Sequence, residues 1–392
     1  MSMQRDETWP VFDDEQIAAV TELLRSGKVN AWTGPDVRAF EAEFAEHTGT
    51  AHAIAMANGS VTLDAALQAL DLQSGDEVIV TPRSFVVSAS CVLHAGGRPV
   101  FADVDRNTQN ITPETIAPLI TERTKGIIPV HLAGWPCDMA GIMTLAETHG
   151  IWVIEDCAQA HGARIGDRPV GGFGTLGSYS FCQDKIMSTG GEGGMIVTDD
   201  EALYDRIWSL KDHGKDRSLV FAPDPPPGFR WLHANGTGTN LRMTGPSAAI
   251  GRVQLRRLPE WRAARARNAQ RLASILSEAS SLRIPVPPDN VTHAWYRFYA
   301  FVRHDRLAKG WDRDRILQAS AAQGLPVFSG SCSEIYREEI FSDPDHHPVA
   351  PLPVAQELGE TSLAFLVDPT WRDEELDHVG NTLLEILSDA AV

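Results

Sequence analysis

The sequence predicts an α/β protein: a large domain on a mostly parallel sheet with helices on both faces, then a smaller C-terminal αβ domain. Three observations carry that expectation. Short apolar runs at 77–80, 126–130 and 151–154 alternate with helical patterns, as crossover-linked parallel strands require. These runs are apolar at successive positions, which marks strands covered on both faces. The chain has 392 residues, 43% hydrophobic and 22% charged, more than one minimal core needs and suited to a large domain plus a small one.

The elements follow in order. Asp13, with Gln16 three residues on, caps a helix whose face carries Ile17, Val20 and Leu24 and which stops at Gly27. A helix over 36–48 leads to a strand over 52–56, and Asn58-Gly59-Ser60 opens a helix through Leu63, Ala66, Leu67 and Leu70. Strand 77–80 precedes a helix near 84–95, and strand 99–102 one near 113–120. Strand 126–130 precedes a helix near 139–149 that feeds strand 151–154. Strands at 178–181 and 195–198 flank a Gly-rich turn.

The stretch 212–240 breaks this rhythm. Its three consecutive prolines, Pro225, Pro226 and Pro227, fit neither a helix nor a central strand, so it reads as an ordered excursion or a mobile flap. Helices resume at 245–257 and 260–277; beyond Pro288 come a strand at 296–302 and a helix at 312–323. The large domain is accordingly expected over 1–265, including the 212–240 flap, and the small one over 266–392.

Composition narrows the function classes. Lys+Arg 34 against Asp+Glu 52 gives a net charge of −18, and no basic stripe or DNA-binding helix pair is visible, so no nucleic-acid role is expected. Apolar runs such as 126–132 and 363–367 fall far short of a bilayer span, and no membrane role is expected. Residues 1–7 read as a polar lead-in without the apolar core of a signal peptide. Cys91, Cys137, Cys157, Cys182 and Cys332 form no Cys-x-x-Cys pair, which excludes a disulfide scaffold and a zinc ribbon and fits a cytoplasmic setting. The adjacent His346 and His347 point apart on most backbones, so no metal site is expected.

Gly172, Gly174 and Gly177 match the dinucleotide fingerprint G-x-G-x-x-G, but they follow a turn and run into the strand-like Ser178-Tyr179-Ser180-Phe181. A phosphate-cradling loop of that class must follow a strand and open a helix. The match is rejected as an NAD site.

Lysine is scarce: Lys28, Lys125, Lys185, Lys211, Lys215 and Lys309. Five sit at helix ends or in polar loops. Lys185 follows an aromatic strand and precedes Gly190-Gly191-Glu192-Gly193-Gly194, a position where desolvation lowers an amine's pKa and a Schiff base can form. Asp156 closes the apolar stretch Ile151-Trp152-Val153-Ile154-Glu155-Asp156, at the C-terminal end where open parallel sheets bind ligands, and a protonated pyridine nitrogen would partner its carboxylate. Gln159 faces the same ligand. Gly59 and Ser60 at a strand-to-helix junction offer backbone N–H groups and a hydroxyl for a phosphate, and Ser180 adds a second hydroxyl. Phe85 can stack on a planar cofactor, although taken alone it reads as core. An amine nucleophile, a strand-end carboxylate and a phosphate cup are what pyridoxal 5'-phosphate asks of a protein.

With those residues in view, the chain resembles the DegT/StrS-type nucleotide-sugar aminotransferases, a branch of the fold-type I PLP transferases. The resemblance runs from about Trp9 to the C-terminus. It is densest around Asn58-Gly59-Ser60, around 75–85 with 99–105, over 155–163, over 180–194, and over 239–255.

The resemblance implies that Lys185 is the Schiff-base lysine and proton shuttle, that Asp156 partners the ring nitrogen, and that Gln159 packs near the ring and its 3-hydroxyl. It puts Phe85 in the stacking position and makes Gly59, Ser60 and Ser180 phosphate contacts. Asn240 corresponds to a phosphate contact supplied by the neighbouring subunit of a homodimer with shared active sites. It further implies ping-pong transfer of an amino group, with L-glutamate as expected donor, to a nucleotide-linked keto sugar, in making amino sugars for surface polysaccharides or secondary metabolites. A keto-cyclitol acceptor stays open. A dehydratase-like lyase using pyridoxamine phosphate is the other alternative, although similar dehydratases carry histidine at the lysine position. The usual Pro-Ser/Thr before the lysine is Gln183-Asp184 here, and Trp135 stands where many members carry a polar residue. Arg230 and Arg242 are candidates for the sugar diphosphate by charge and location.

Overall fold

Seven strands form the central sheet, in the order His52–Met56, Gly194–Thr198, Leu176–Ser180, Trp152–Asp156, Thr124–Ile128, Glu77–Val80, Arg98–Phe101. Gly194–Thr198 runs antiparallel to both its neighbours, and the pairings among the others are parallel. The strand-end residues Met56, Val80, Asp156 and Ser180 therefore share one edge of the sheet, where a ligand crevice forms. The structure is a computed structural model describing residues 8–224, 227–228, 231–348 and 350–392. The polar lead-in at 1–7 and Arg230 lie outside the described residues.

The expected buried strands are observed: Glu77–Val80, Leu176–Ser180 and Gly194–Thr198 are buried at every position. Helices cover both faces. One core packs Leu63, Ala66 and Leu67 of the helix Gly59–Ala69 against Ile54, Val78, Ile154 and Ile196. On the opposite face Phe40 and Phe44 of the helix Asp36–Thr48 meet Ala55, Tyr179, Phe181 and Met195. The Asp13 cap forms, its side chain accepting from the Gln16 N–H. A smaller antiparallel sheet joins Leu282–Arg283, Phe298–Val302, Ser362–Phe365 and Val327–Phe328 in that order, and Leu376, Val379 and Leu383 of the helix Asp373–Ala390 pack against it.

Three expected elements differ. The helix near 84–95 spans only Val87–His94, because Pro82 and the loop after it carry the chain out of the sheet before the helix begins. The helix near 113–120 is helical over Pro113–Ile116 and tightens to a 3-10 turn at Ala117–Leu119, where Pro118 has no N–H to donate. The two helices expected at 245–257 and 260–277 are one helix, Gly245–Leu276, with Pro259 inside it. An interior proline costs about 3 kcal/mol; the buried Leu255, Leu258 and Trp261 around it hold the helix together. This helix enters one core through Leu258 and Trp261 and another through Ala269, Leu272 and Leu276.

The excursion over 212–240 is tied at its base by an antiparallel bridge between Asp212 and Asn240, and it carries a short helix, Arg217–Val220. Among the described residues no helix is long and apolar enough to cross a membrane.

Candidate active site

A cavity of about 670 Å³ opens at the strand-end edge of the sheet, and Gly59, Ser60, Phe85, Asp156, Ser180 and Lys185 line it, with Gln159 beside them. Seven of the eight site residues expected from the sequence thus converge on one space. The eighth, Asn240, does not line it. It sits at the base of the excursion, exposed, with its Oδ1 accepting from the Arg242 N–H.

Each side chain has a local reason for its position. Asp156 is the last residue of its parallel strand and is 3% exposed. Its Oδ2 accepts from the Ser88 hydroxyl at 2.8 Å and its Oδ1 from the Ala158 N–H at 3.1 Å. Burial pushes its pKa up, against the pull of those hydrogen bonds and of the Lys185 charge. Among the described residues it has no cation within ion-pair distance. A buried carboxylate that faces a cavity and lacks a counter-ion fits a protonated ring nitrogen.

Gly59 begins the helix Gly59–Ala69, and a Cβ added there would lie 2.6 Å from the Cβ of Ser180. Only glycine lets the helix start approach the neighbouring strand so closely. The expectation of free backbone N–H groups at this helix start needs correction at Ser60: the Asn58 side chain accepts from both Ser60 and Val61. That cap contributes about 1 kcal/mol to the helix, and it leaves the Gly59 N–H with the Ser60 and Ser180 hydroxyls as the available donors.

Phe85 precedes its helix and is 66% exposed, so its ring faces the cavity and is not core. Gln159 is held by its Oε1, which accepts from the Ala133 N–H at 2.8 Å.

Lys185 lies in the turn after the strand Leu176–Ser180, with its N–H bonded to the Cys182 carbonyl and its own carbonyl accepting from the Trp9 indole. Its side chain is 16% exposed. The expected depression of its pKa is not what the surroundings produce. Burial does act in that direction, but the neighbouring Tyr296 and Asp184 outweigh it and the net shift is upward. Asp184 lies 3.3 Å from the amine, and sequence reasoning noted it only as a departure from the family pattern. Ser88 and Tyr296 were also missed as site residues. Ser88 reads as one more small helix residue until Asp156 is seen against it.

A second cavity of about 890 Å³ adjoins the first and shares Phe85, Gln159, Asp184 and Lys185 with it. Its outer wall includes Arg297, Tyr299, Phe328 and Ser331. Trp135 is buried and lines neither cavity. Arg242, a candidate for a diphosphate, spends its guanidinium on Asp212 at 2.7 Å.

A cluster of potential metal ligands, His131, Glu155 and Cys157, lies buried behind Asp156. The lone pairs of Glu155 and His131 are already used. The Glu155 oxygens accept from the N–H groups of Gly171, Phe173 and Gly174 and face His131 Nε2 at 3.0 Å. His131 Nδ1 accepts from the Cys137 N–H. The cluster fixes the loop that follows the strand carrying Asp156.

Residues 10–384 match the family model described as the DegT/DnrJ/EryC1/StrS aminotransferase family. The chain belongs to that family. Like other DegT/DnrJ/EryC1/StrS members it is a PLP-dependent enzyme of the aminotransferase type, with the fold-type I architecture. It is 32% identical over 381 residues to the spore coat polysaccharide biosynthesis protein SpsC of Bacillus subtilis, covering 97% of this chain and 96% of that one. It is 35% identical over 354 residues to the UDP-N-acetyl-3-dehydro-alpha-D-glucosamine 3-aminotransferase of Acidithiobacillus ferrooxidans, covering 90% and 89%. The solved structure of an aminotransferase from Psychrobacter cryohalolentis shares 50% identity and superposes with a TM-score of 0.95, covering 98% of this chain and 99% of that one.

Proposed function

We propose that this enzyme transfers an amino group from L-glutamate to a keto sugar carried on a nucleotide, in the making of amino sugars for a surface polysaccharide or a secondary metabolite. The observation that carries the reading is the shared wall of the two cavities. Lys185 faces the space that suits the cofactor and also the wider space beside it, so a second ligand can reach the amine from the outer side. The A. ferrooxidans relative, named for a UDP-linked dehydro sugar, and the B. subtilis relative, named for spore-coat polysaccharide, support the acceptor class.

When bound, pyridoxal phosphate supplies an electron sink for the carbon–hydrogen bond that must be broken and remade. In this reading the chain's own groups do the rest. The Ser60 and Ser180 hydroxyls hold the phosphate, and the close contact at Gly59 keeps them side by side. Asp156 keeps the ring nitrogen protonated, Phe85 covers the ring face, and Gln159 borders the ring edge. Lys185 Nζ is the covalent anchor and, once released, the group that moves the proton. Asn240 acts on the phosphate of the neighbouring subunit, in a homodimer with shared sites. A cytoplasmic setting is part of the proposal, and the free cysteines Cys91, Cys137, Cys157, Cys182 and Cys332 support it.

A lysine at 185, where similar dehydratases carry histidine, favours amino transfer over loss of water. Borohydride reduction of the purified protein followed by peptide mass mapping tests the reading. A pyridoxyl adduct on Lys185 is the expected result, and no adduct after incubation with excess PLP would overturn it.

A further inference from the structure

Adjacent residues in a chain usually point apart, but Asp184 and Lys185 meet. Asp184 Oδ1 lies 3.3 Å from Lys185 Nζ, and among the described residues it is the one carboxylate within ion-pair distance of that amine. The other oxygen, Oδ2, is held from a distant part of the chain. The Tyr296 hydroxyl donates to it, and Arg297 Nη2 stands 3.9 Å away. Both residues lie just before the strand Phe298–Val302 of the small sheet. The amine also sits 5.1 Å from the centre of the Tyr296 ring. The carboxylate is therefore clamped on one side and offered to the lysine on the other.

We propose that Asp184 is a positioning residue for Lys185, holding the amine as an ammonium aimed into the two shared cavities whenever the lysine is not covalently engaged. The inference rests on the reading of Lys185 as the cofactor's anchor. Amino transfer releases that lysine in each half-reaction, and a free amine on a four-carbon stem would lose both its aim and control of its proton. A fixed carboxylate at 3.3 Å supplies both.

The charges around the amine agree with this role. The groups facing Lys185 are Asp184, Tyr296, Arg297, Asp156, His161 and Cys182, whose thiol is held above its ordinary pKa by burial and so stays uncharged at neutral pH. Burial alone depresses the amine, and His161, kept neutral by burial, adds no competing charge at neutral pH. Asp156 is committed to Ser88 and the Ala158 N–H. Burial also pushes the Tyr296 hydroxyl's pKa up, so at neutral pH it is an uncharged donor and Asp184 is the anion that counts. Asp184 is half exposed, so water screens the pair in part until a ligand fills the cavities. The serine or threonine of the family pattern could donate a hydrogen bond here but carries no charge.

Competitive acetylation of the cofactor-free protein over a range of pH, read by peptide mass, tests the proposal. Only the neutral amine attacks acetic anhydride, forming the amide with loss of acetate and a proton, and the exposed Lys28 and Lys125 serve as internal references. At a pH below the lysine range, Asp184→Ser should raise Lys185 labelling relative to the references about tenfold, one unit in the titration midpoint. Asp184→Asn, which keeps the shape, should do the same, and Tyr296→Phe should do so more weakly. Labelling profiles unchanged from wild type in both Asp184 variants would overturn the proposal. Visible absorbance on adding PLP separates the two readings. If wild type and Asp184→Ser gain the same band with the same pH dependence, only the Asp184 role fails. If wild type gains no band at any pH, the anchor reading and this one fall together.

Discussion

The Ser180 side chain stands where a side chain at Gly59 would have to go. An added Cβ would lie 2.6 Å from Ser180 Cβ and 2.9 Å from its Oγ, closer than non-bonded atoms approach. The start of one helix and the end of one strand are thereby pressed together, and their two hydroxyl-bearing residues line the same cavity.

That contact predicts the effect of Gly59→Ala. The methyl group must displace the end of a central strand, which costs about 1–3 kcal/mol, and it separates the hydroxyls of Ser60 and Ser180. PLP binding followed by absorbance titration should weaken at least about tenfold, with a drop in thermal midpoint. Unchanged affinity would remove Gly59 from the phosphate cradle.

Lys185→Ala should fold, because Asp184 keeps Tyr296 and Arg297 as partners. Its turnover should fall by about 10²–10⁴-fold or more, and borohydride should leave no pyridoxyl adduct. Circular dichroism and a turnover assay together separate this from unfolding.

Asp156→Asn sets stability against function. Burial raises this carboxyl's pKa, so its ionised form costs the folded, cofactor-free protein stability above the ordinary carboxylate range, and the cost disappears as pH falls below that range. The variant should melt at or above wild type at pH 7, with the difference closing in acid, while its turnover drops because a neutral amide cannot hold a ring nitrogen protonated. A large loss of stability at pH 7 would contradict this account.

Glu155→Ala should be costly without touching the cavity. It strips acceptors from the buried Gly171 N–H and His131 ring and from the partly buried N–H groups of Phe173 and Gly174. Each orphaned donor costs about 1–3 kcal/mol, so chemical denaturation should report a loss of about 3 kcal/mol or more.

Two buried histidines set an acid limit. Burial lowers His161 and His293 from 6.5 to about 3. Between those values the unfolded chain binds protons that the folded chain refuses, so stability falls as pH drops through 6.5, by about 1.4 kcal/mol per unit for each histidine. Replacing His293 with Asn should flatten the slope of melting temperature against pH over that window. An unchanged slope would mean that the ring is already protonated in the fold.

Much of this was legible in the sequence because it is local. Apolar runs bounded by turns mark buried strands, Asn58 and Asp13 mark helix starts, and a lysine beside a glycine-rich turn stands out when lysines are few. Phe85 was ambiguous for the same reason: its neighbours in the chain fit core and cavity equally, and only the sheet edge exposes it. Pro259 suggested a break between two helices, since propensity is a local property, and packing around Leu255, Leu258 and Trp261 overrode it. The sequence by itself determined the strand-and-helix order and the family, and it singled out Lys185 as the candidate nucleophile. Tertiary structure alone decided the electrostatics of the site. The pKa of Lys185 depends on Asp184, and the aim of Asp184 depends on Tyr296, which reaches it across 112 positions of chain. Such a contact exists only once the small sheet has docked against the large one, because charge acts over ångströms of space and not over positions in a sequence.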